Sequence, residues 1–269
     1  MSEAQVVVVV RDPDAAADEA ARRVVVVLRD TVARRGRADW AVTGGSTAVG
    51  IYRALATAPL RDEIPWASVH VWWGDDRFVP RDHPLSNVKP FDDILLGIGS
   101  AEEGTAGGGP AGVPMPPEHF HPFRTGEAIG AARGAAWCAD AMAAELQASG
   151  PISDDGWPAF DLLTLGMGSD GHVLSVFPGS PAFETPDLAL AIPAPTHIEP
   201  HVERVTLNPA AITAARKVIL VALGAGKAAI LADVLGPVAD LRRWPAQLAR
   251  CDRAIWIVDE AAATRLPGS

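Results

Sequence analysis

The chain has 269 residues and a formal net charge of −10. That length buries a full core as one large domain or two small ones. The negative balance argues against general binding of nucleic acid, whose phosphates call for a basic surface, but leaves room for a small anion held by a few local cations.

With 48% hydrophobic and 21% charged residues the composition is that of an ordinary soluble globular protein. The opening MSEAQVVVVVRD shows neither a basic leader region nor a cleavage site, and its apolar run is far too short to cross a bilayer. A cytoplasmic protein is expected, with no membrane partner. Cys138 and Cys251 stand in no metal or redox spacing and read as small buried hydrophobes in a reducing compartment. Lysine is scarce: Lys89, Lys217 and Lys227 are the only three among 23 cationic residues. Each lysine therefore invites a question.

Strand and helix signals alternate. Gln5–Val10, five of its residues valine, predicts a buried strand, and Pro13-Asp14 opens an alanine-rich helix to about Arg35. Trp40–Thr43 reads as a short strand that turns at Gly44-Gly45-Ser46-Thr47 into a helix ending near Ala58. Val69–Trp73 is a strand ending in the charged turn Gly74-Asp75-Asp76-Arg77, and Ser86-Asn87 opens a helix to about Leu96. Gly97 to Pro117 holds eleven Gly or Pro in 21 residues and predicts a flexible excursion, not a linker, because the strand–helix rhythm resumes beyond it. A long helix is expected from about Gly126 to Ser149, then the strand Phe160–Leu165. Extended pieces follow at Leu188–Ile192 and Arg204–Leu207, a helix start at Asn208-Pro209, a strand at Lys217–Leu223, a helix at Ala225–Leu235 and a last strand at Ala254–Val258. Such alternation predicts an α/β fold, a Rossmann-like, mainly parallel sheet with helices on both faces, in a single domain spanning 1–269.

Chemistry is expected where strands run into glycine turns, because open α/β folds bind ligands at the carboxyl edge of the sheet. The strand FDLLTLG leads directly into Met167-Gly168-Ser169-Asp170-Gly171-His172. A histidine presented there beside an aspartate can exchange protons near neutral pH. In Thr43-Gly44-Gly45-Ser46-Thr47, two glycines and a helix N-terminus offer N–H groups to an anion; the same residues also fit a plain tight turn with Ser46 as N-cap. Asp75-Asp76-Arg77 fits either an anion and hydroxyl site or a solvated turn. Lys227, in Gly224-Ala225-Gly226-Lys227, opposes the dipole of the helix it opens unless an anion sits nearby. Arg204 is a weaker candidate of the same kind. His197 and His201 lie four apart, but the flanking prolines speak against a helix and so against a metal pair. His119 and His121 read as surface residues. The eight tryptophans are scattered and read as core and lid packing. No nicotinamide site is expected: GMGSDG lacks the final spacing of a dinucleotide fingerprint.

Taken together, TGGST (43–47), GDDRFVPRDHPLSN (74–87), FDLLTLGMGSDGHVLSVFPGSP (160–181), RVTL (204–207) and GAGKA (224–228) resemble the glucosamine-6-phosphate isomerase/6-phosphogluconolactonase family, on its 6-phosphogluconolactonase side. The motifs recur in family order across roughly residues 40 to 230. Two departures are mild: Asp75-Asp76-Arg77 stands where the family usually has Asp-Glu-Arg, and Val173-Leu174-Ser175-Val176-Phe177 where it usually has Thr-Ala-Ser-Leu-Phe. The excursion at 97–117 lies outside the pattern.

The resemblance implies hydrolysis of 6-phospho-D-glucono-1,5-lactone to 6-phospho-D-gluconate in the pentose phosphate pathway, without cofactor or metal, by a monomer or small homo-oligomer. It implies a catalytic group of His172, Asp170 and Arg77. Substrate would be held by Gly44, Gly45, Ser46, Thr47, Asp75, Asn87, Gly168, Arg204 and Lys227. The group that stabilises the oxyanion is open between Arg77 and a backbone N–H of a glycine loop. Two alternatives stand beside this reading. One is a sister isomerase or deaminase, which carries a ring-opening glutamate five residues beyond the histidine, where this chain has Phe177. The other is a non-catalytic sugar-phosphate sensor, disfavoured because no basic helix-turn-helix segment is seen.

Overall fold

The computed structural model describes residues 6–98 and 112–267. Most of the Gly/Pro-rich excursion, 99–111, lies outside the described residues.

Among the described residues ten strands fall into two sheets. Strands β1 (Val6–Val10), β2 (Ala38–Val42), β3 (Val69–Trp73), β5 (Phe120–His121), β6 (Leu162–Gly166), β9 (Val218–Ala222) and β10 (Ala254–Asp259) form a seven-stranded sheet in the order β1-β10-β9-β6-β2-β3-β5. Every pairing in it is parallel. Strands β2 and β9 are buried at all five positions, so both faces of the sheet are covered, as crossover connections require. This is the Rossmann-like α/β architecture that the alternating signals predict.

The first crossover shows how sequence sets an element's limits. Helix α1 (Pro13–Arg35) starts at Asp12, whose side chain accepts from Ala15 N at 2.9 Å, with proline at its first position. It stops at Gly36, in the left-handed region at φ 75°, whose N–H returns to Val32 O. Its buried stripe, Ala16, Ala20, Ala21, Val24, Val25, Leu28 and Thr31, follows helical spacing. The bulky indoles of the core keep their polar edges satisfied: Trp72 Nε1 donates to Asp39 and Trp73 Nε1 to the carbonyl of Asn87.

The second sheet is antiparallel, in the order β4-β8-β7, from β4 (Asp75–Arg77), β7 (Ala189–Ile192) and β8 (Arg204–Leu207). Here one of the two readings left open for Asp75-Asp76-Arg77 falls away. Asp75-Asp76-Arg77 is not a solvated turn but a strand paired with Arg204-Val205-Thr206. Its charged side chains are therefore held in register beside the parallel sheet.

Three further expectations change. The helix 126–149 is two helices, Thr125–Gly130 and Ala135–Ser149, because Gly130 and Gly134 flank a turn in which Ala132 adopts φ 52°. The stretch after Asn87 is one α turn, Lys89–Phe91, continued by a π turn, Asp92–Leu96; Ser86 and Asn87 precede it without being its cap. His121 is not a surface residue. It is buried in β5, stacked on Trp72, with its ring nitrogens on His70 (3.0 Å) and Glu145 (2.6 Å).

Candidate active site

Strands β9, β6, β2 and β3 are consecutive neighbours and run in one direction. Their carboxyl ends therefore bring 223–227, 166–172, 43–47 and 74–77 to one edge, although these segments are far apart in the chain. A cleft of about 230 Å³ opens there, lined by Thr43 to Thr47, Asp75, Arg77, Asn87, Gly166 to Gly168, His172, Leu174, Arg204, Val221, Leu223 and Lys227. All the expected substrate-holding residues line this single cleft, and Asp170 stands directly behind His172.

The His172 imidazole is fixed by its turn. Gly171 adopts φ 82°, the Gly168 N–H donates to the carbonyl of His172, and Asp170 Oδ1 accepts from the His172 backbone N–H. The same carboxylate oxygen meets His172 Nδ1 at 2.5 Å. With Nδ1 so engaged, Nε2 is the ring nitrogen free to exchange a proton. Burial pushes the Asp170 carboxyl up, but hydrogen bonds from His172 and His197 outweigh it and hold the group well below the usual carboxylate range. It stays ionised. Leu174, in the left-handed region at φ 55°, completes the tight return of the chain.

Three cations share the cleft. Cross-strand register sets Arg77 directly opposite Arg204, a like-charge pairing that is unfavourable by itself. Lys227 joins them from a single 3-10 turn, Ala225–Lys227, that precedes the helix Ala228–Leu235 instead of lying inside it. Gly224 N in that loop is pinned by the Asp259 carboxylate at 2.9 and 3.0 Å. Among the described residues, none of the three cations forms an ion pair with a carboxylate. Burial lowers the Lys227 ammonium, partly offset by Asp170; burial and then Arg77 lower the Arg204 guanidinium. Arg77 keeps a buried Nε without a partner. Partly desolvated cations with no directly paired carboxylate suit an anionic ligand.

The acidic side of the cleft is braced. Asp75 accepts from Ser175 Oγ at 2.7 Å and from Asn87 Nδ2 at 3.2 Å, while Asn87 Oδ1 is buried without a partner. The Asn87 side chain lies so close to Gly44 that a Cβ there would stand 1.8 Å from Oδ1, so Gly44 is required for the approach of a neighbour. Helix α2 (Ser46–Leu55) has Gly45 as its N-cap, with no side-chain cap. Ser46 is thus the first helical residue and not the cap that the plain-turn reading gives it.

Asp76 lies beneath, fully buried, accepting from Asn87 N (2.7 Å), Arg77 N (2.8 Å) and Ser86 Oγ (3.2 Å). Burial pushes its carboxyl up to about 7, against the pull of those backbone donors. Because the folded value is raised, the protonated acid is favoured by folding. Its contribution is complete below the ordinary value of 3.8 and is lost as pH rises through about 7. We expect Asp76→Asn to gain on the parent protein by roughly 4 kcal/mol in unfolding free energy between about pH 4 and pH 8. Urea unfolding at the two pH values measures this, and a difference that stays constant refutes a neutral Asp76.

His197 was not foreseen in this site. It arrives on the segment between β7 and β8, and its Nε2 lies 2.9 Å from Asp170 Oδ2. No local spacing announces it, since the contact joins residues 27 apart through a proline-rich loop. Among the described residues no group of three or more His, Cys, Asp and Glu is arranged to hold a metal ion. No helix among them is long and apolar enough to cross a membrane.

Comparison with known proteins identifies the family. Residues 11–256 match the family described as glucosamine-6-phosphate isomerases/6-phosphogluconolactonase. The chain is 36% identical to a 6-phosphogluconolactonase of Streptomyces coelicolor, over 100% of this chain and 97% of that protein. It is 31% identical to one of Mycobacterium tuberculosis, over 95% and 96% respectively. Among solved structures, the 6-phosphogluconolactonase of Trypanosoma brucei superposes with a TM-score of 0.81 at 26% identity, over 98% of this chain and 100% of that one. A monomeric glucosamine-6-phosphate deaminase shares the fold, with a TM-score of 0.73 at 16% identity over 97% and 100%. The chain belongs to the glucosamine-6-phosphate isomerase/6-phosphogluconolactonase family.

Proposed function

We propose that this protein hydrolyses 6-phospho-D-glucono-1,5-lactone to 6-phospho-D-gluconate, a step of the pentose phosphate pathway, with His172 as general base. The observation that carries this reading is the His172–Asp170 pair, 2.5 Å apart, at a cleft that also holds Arg77, Arg204 and Lys227 without carboxylate partners.

A δ-lactone is an activated ester, so its hydrolysis needs a positioned water, a base and a donor for the oxyanion. His172 Nε2 takes a proton from water as the oxygen attacks C1. The carbonyl oxygen gains the negative charge, and Arg77, which lines the cleft, is the side chain we assign to it. The tetrahedral intermediate collapses by breaking the bond from C1 to the ring oxygen, and the imidazolium returns its proton to that oxygen. Asp170 stabilises the imidazolium in between. The phosphate falls to Arg204 and Lys227, with Ser46, Thr47 and the N–H groups of Gly44 and Gly45. Asp75 and Asn87 orient sugar hydroxyls, and Gly168 leaves room for the imidazole.

The sister deaminase reading lacks its base. Phe177 stands in the ring-opening position, its ring centroid 4.7 Å from that of His172, and has no proton to move.

The direct test is the rate of hydrolysis of freshly made lactone with protein, against its spontaneous rate. Acceleration proportional to protein concentration is expected; none would remove the proposal. Lys227→Ala is expected to raise KM roughly tenfold with kcat little changed, because a phosphate remote from C1 feels the same charge in ground and transition states. A fall in kcat at constant KM would instead move Lys227 to the reacting carbonyl.

A further inference from the structure

The carboxylate behind the base serves two imidazoles. Asp170 Oδ1 meets His172 Nδ1 at 2.5 Å and Oδ2 meets His197 Nε2 at 2.9 Å. Phe177 is wedged between the same two rings, with centroids 4.7 Å from His172 and 5.7 Å from His197, the latter edge-on. Resting on the reading of His172 as the base, we propose that His197 is a positioning residue: it locks the Asp170 carboxylate, and through it the orientation and basicity of His172.

The physical argument has two parts. A carboxylate bonded through one oxygen can still turn about its terminal torsion, whereas one held through both oxygens cannot without losing a charge-assisted hydrogen bond. His197 therefore fixes the plane in which Asp170 meets Nδ1. The second donor also shares the carboxylate charge, which leaves less of it to stabilise the His172 imidazolium. Orientation improves and basicity is trimmed.

The loop that carries His197 is built to deliver it. Arg204 donates from Nε to Val202 O and from Nη2 to Pro200 O, and His201 is tied to Pro195 O and to Glu199. The guanidinium assigned to the phosphate thus also frames the segment that steadies the base. Of the titratable or charged groups, Asp170 contacts His197 directly, His172 and Lys227 act on the same carboxylate, and Glu199, His201 and Glu203 follow on its own segment of the chain.

The test compares the parent protein with His197→Ala and His197→Gln, which keeps an N–H donor but cannot be charged. For His197→Ala, kcat should fall about tenfold, the worth of one hydrogen bond to a charged group, with KM within about twofold. The acidic limb of kcat/KM should move to higher pH, because Asp170 then acts on His172 alone. His197→Gln should restore both. The His172 ring is titrated in parallel by NMR in substrate-free protein, which reports the same upward shift whether or not the lactone is the substrate. Unchanged kcat and midpoint in His197→Ala would reduce His197 to a surface contact. A lowered melting temperature with an unmoved His172 midpoint, or no rescue by glutamine, would make its role structural and overturn the proposal.

Discussion

His172→Ala is expected to lower kcat for the lactone by roughly 10²–10⁴-fold, the usual worth of a positioned acid–base group, while unfolding remains close to that of the parent. The two outcomes separate because His172 adds chemistry more than core volume: its side chain is 20% exposed and its turn is held by backbone hydrogen bonds independent of the ring. Rate and urea unfolding measured on the same preparation decide the matter. Near-native turnover would make His172 a structural residue and leave the cleft without a base. A large loss of stability would show that the Asp170 contact supports the turn as well as the chemistry.

Gly168→Ala should come close to that loss without touching the base itself. A Cβ at position 168 would lie 2.0 Å from His172 Nδ1, 2.2 Å from its Cε1 and 2.6 Å from Asp170 Oδ1, all far inside contact distance. The imidazole and carboxylate have to part or move together. Displacing a catalytic group by about 1 Å costs on the order of 10²-fold, so kcat should fall by that much or more. The His172 Nδ1 contact with Asp170 should be lost as well. If Gly168→Ala retains kcat within about twofold, the imidazole does not work from the place it occupies here.

The legible parts of this protein are those whose signal is local. A strand that runs into a glycine turn is visible in sequence, and four such turns reach one sheet edge because parallel strands all end on the same side. His172, Asp170, Lys227 and the 43–47 turn were readable for that reason. The small antiparallel sheet was not, because Asp75–Arg77 pairs with residues some 130 positions later and no turn joins them. For the same reason the chain does not advertise that Arg77 faces Arg204, that Ser175 ties Asp75, or that Asn87 fills the space a side chain at Gly44 would need. His197 lies furthest from notice, since its partner is fixed by the path of an irregular loop. The break in the helix expected over 126–149 was within reach: glycines at 130 and 134 are weak helix formers, yet the alanine-rich pattern around them hid the turn.

The order of the large sheet also bears on how the chain comes to be made. Strand β1 lies at the sheet's margin and its neighbour there is β10, so among the described strands the earliest to be synthesised pairs with the latest. Until some 250 residues have followed, five consecutive valines have no ladder to join, and Val6 and Val9 remain about half exposed even in the finished fold. Such a segment is sticky while it waits. Arg11, Asp12 and Asp14 come directly behind it, and this cluster of charge beside a hydrophobic strand acts as a gatekeeper during the nascent chain's long interval alone.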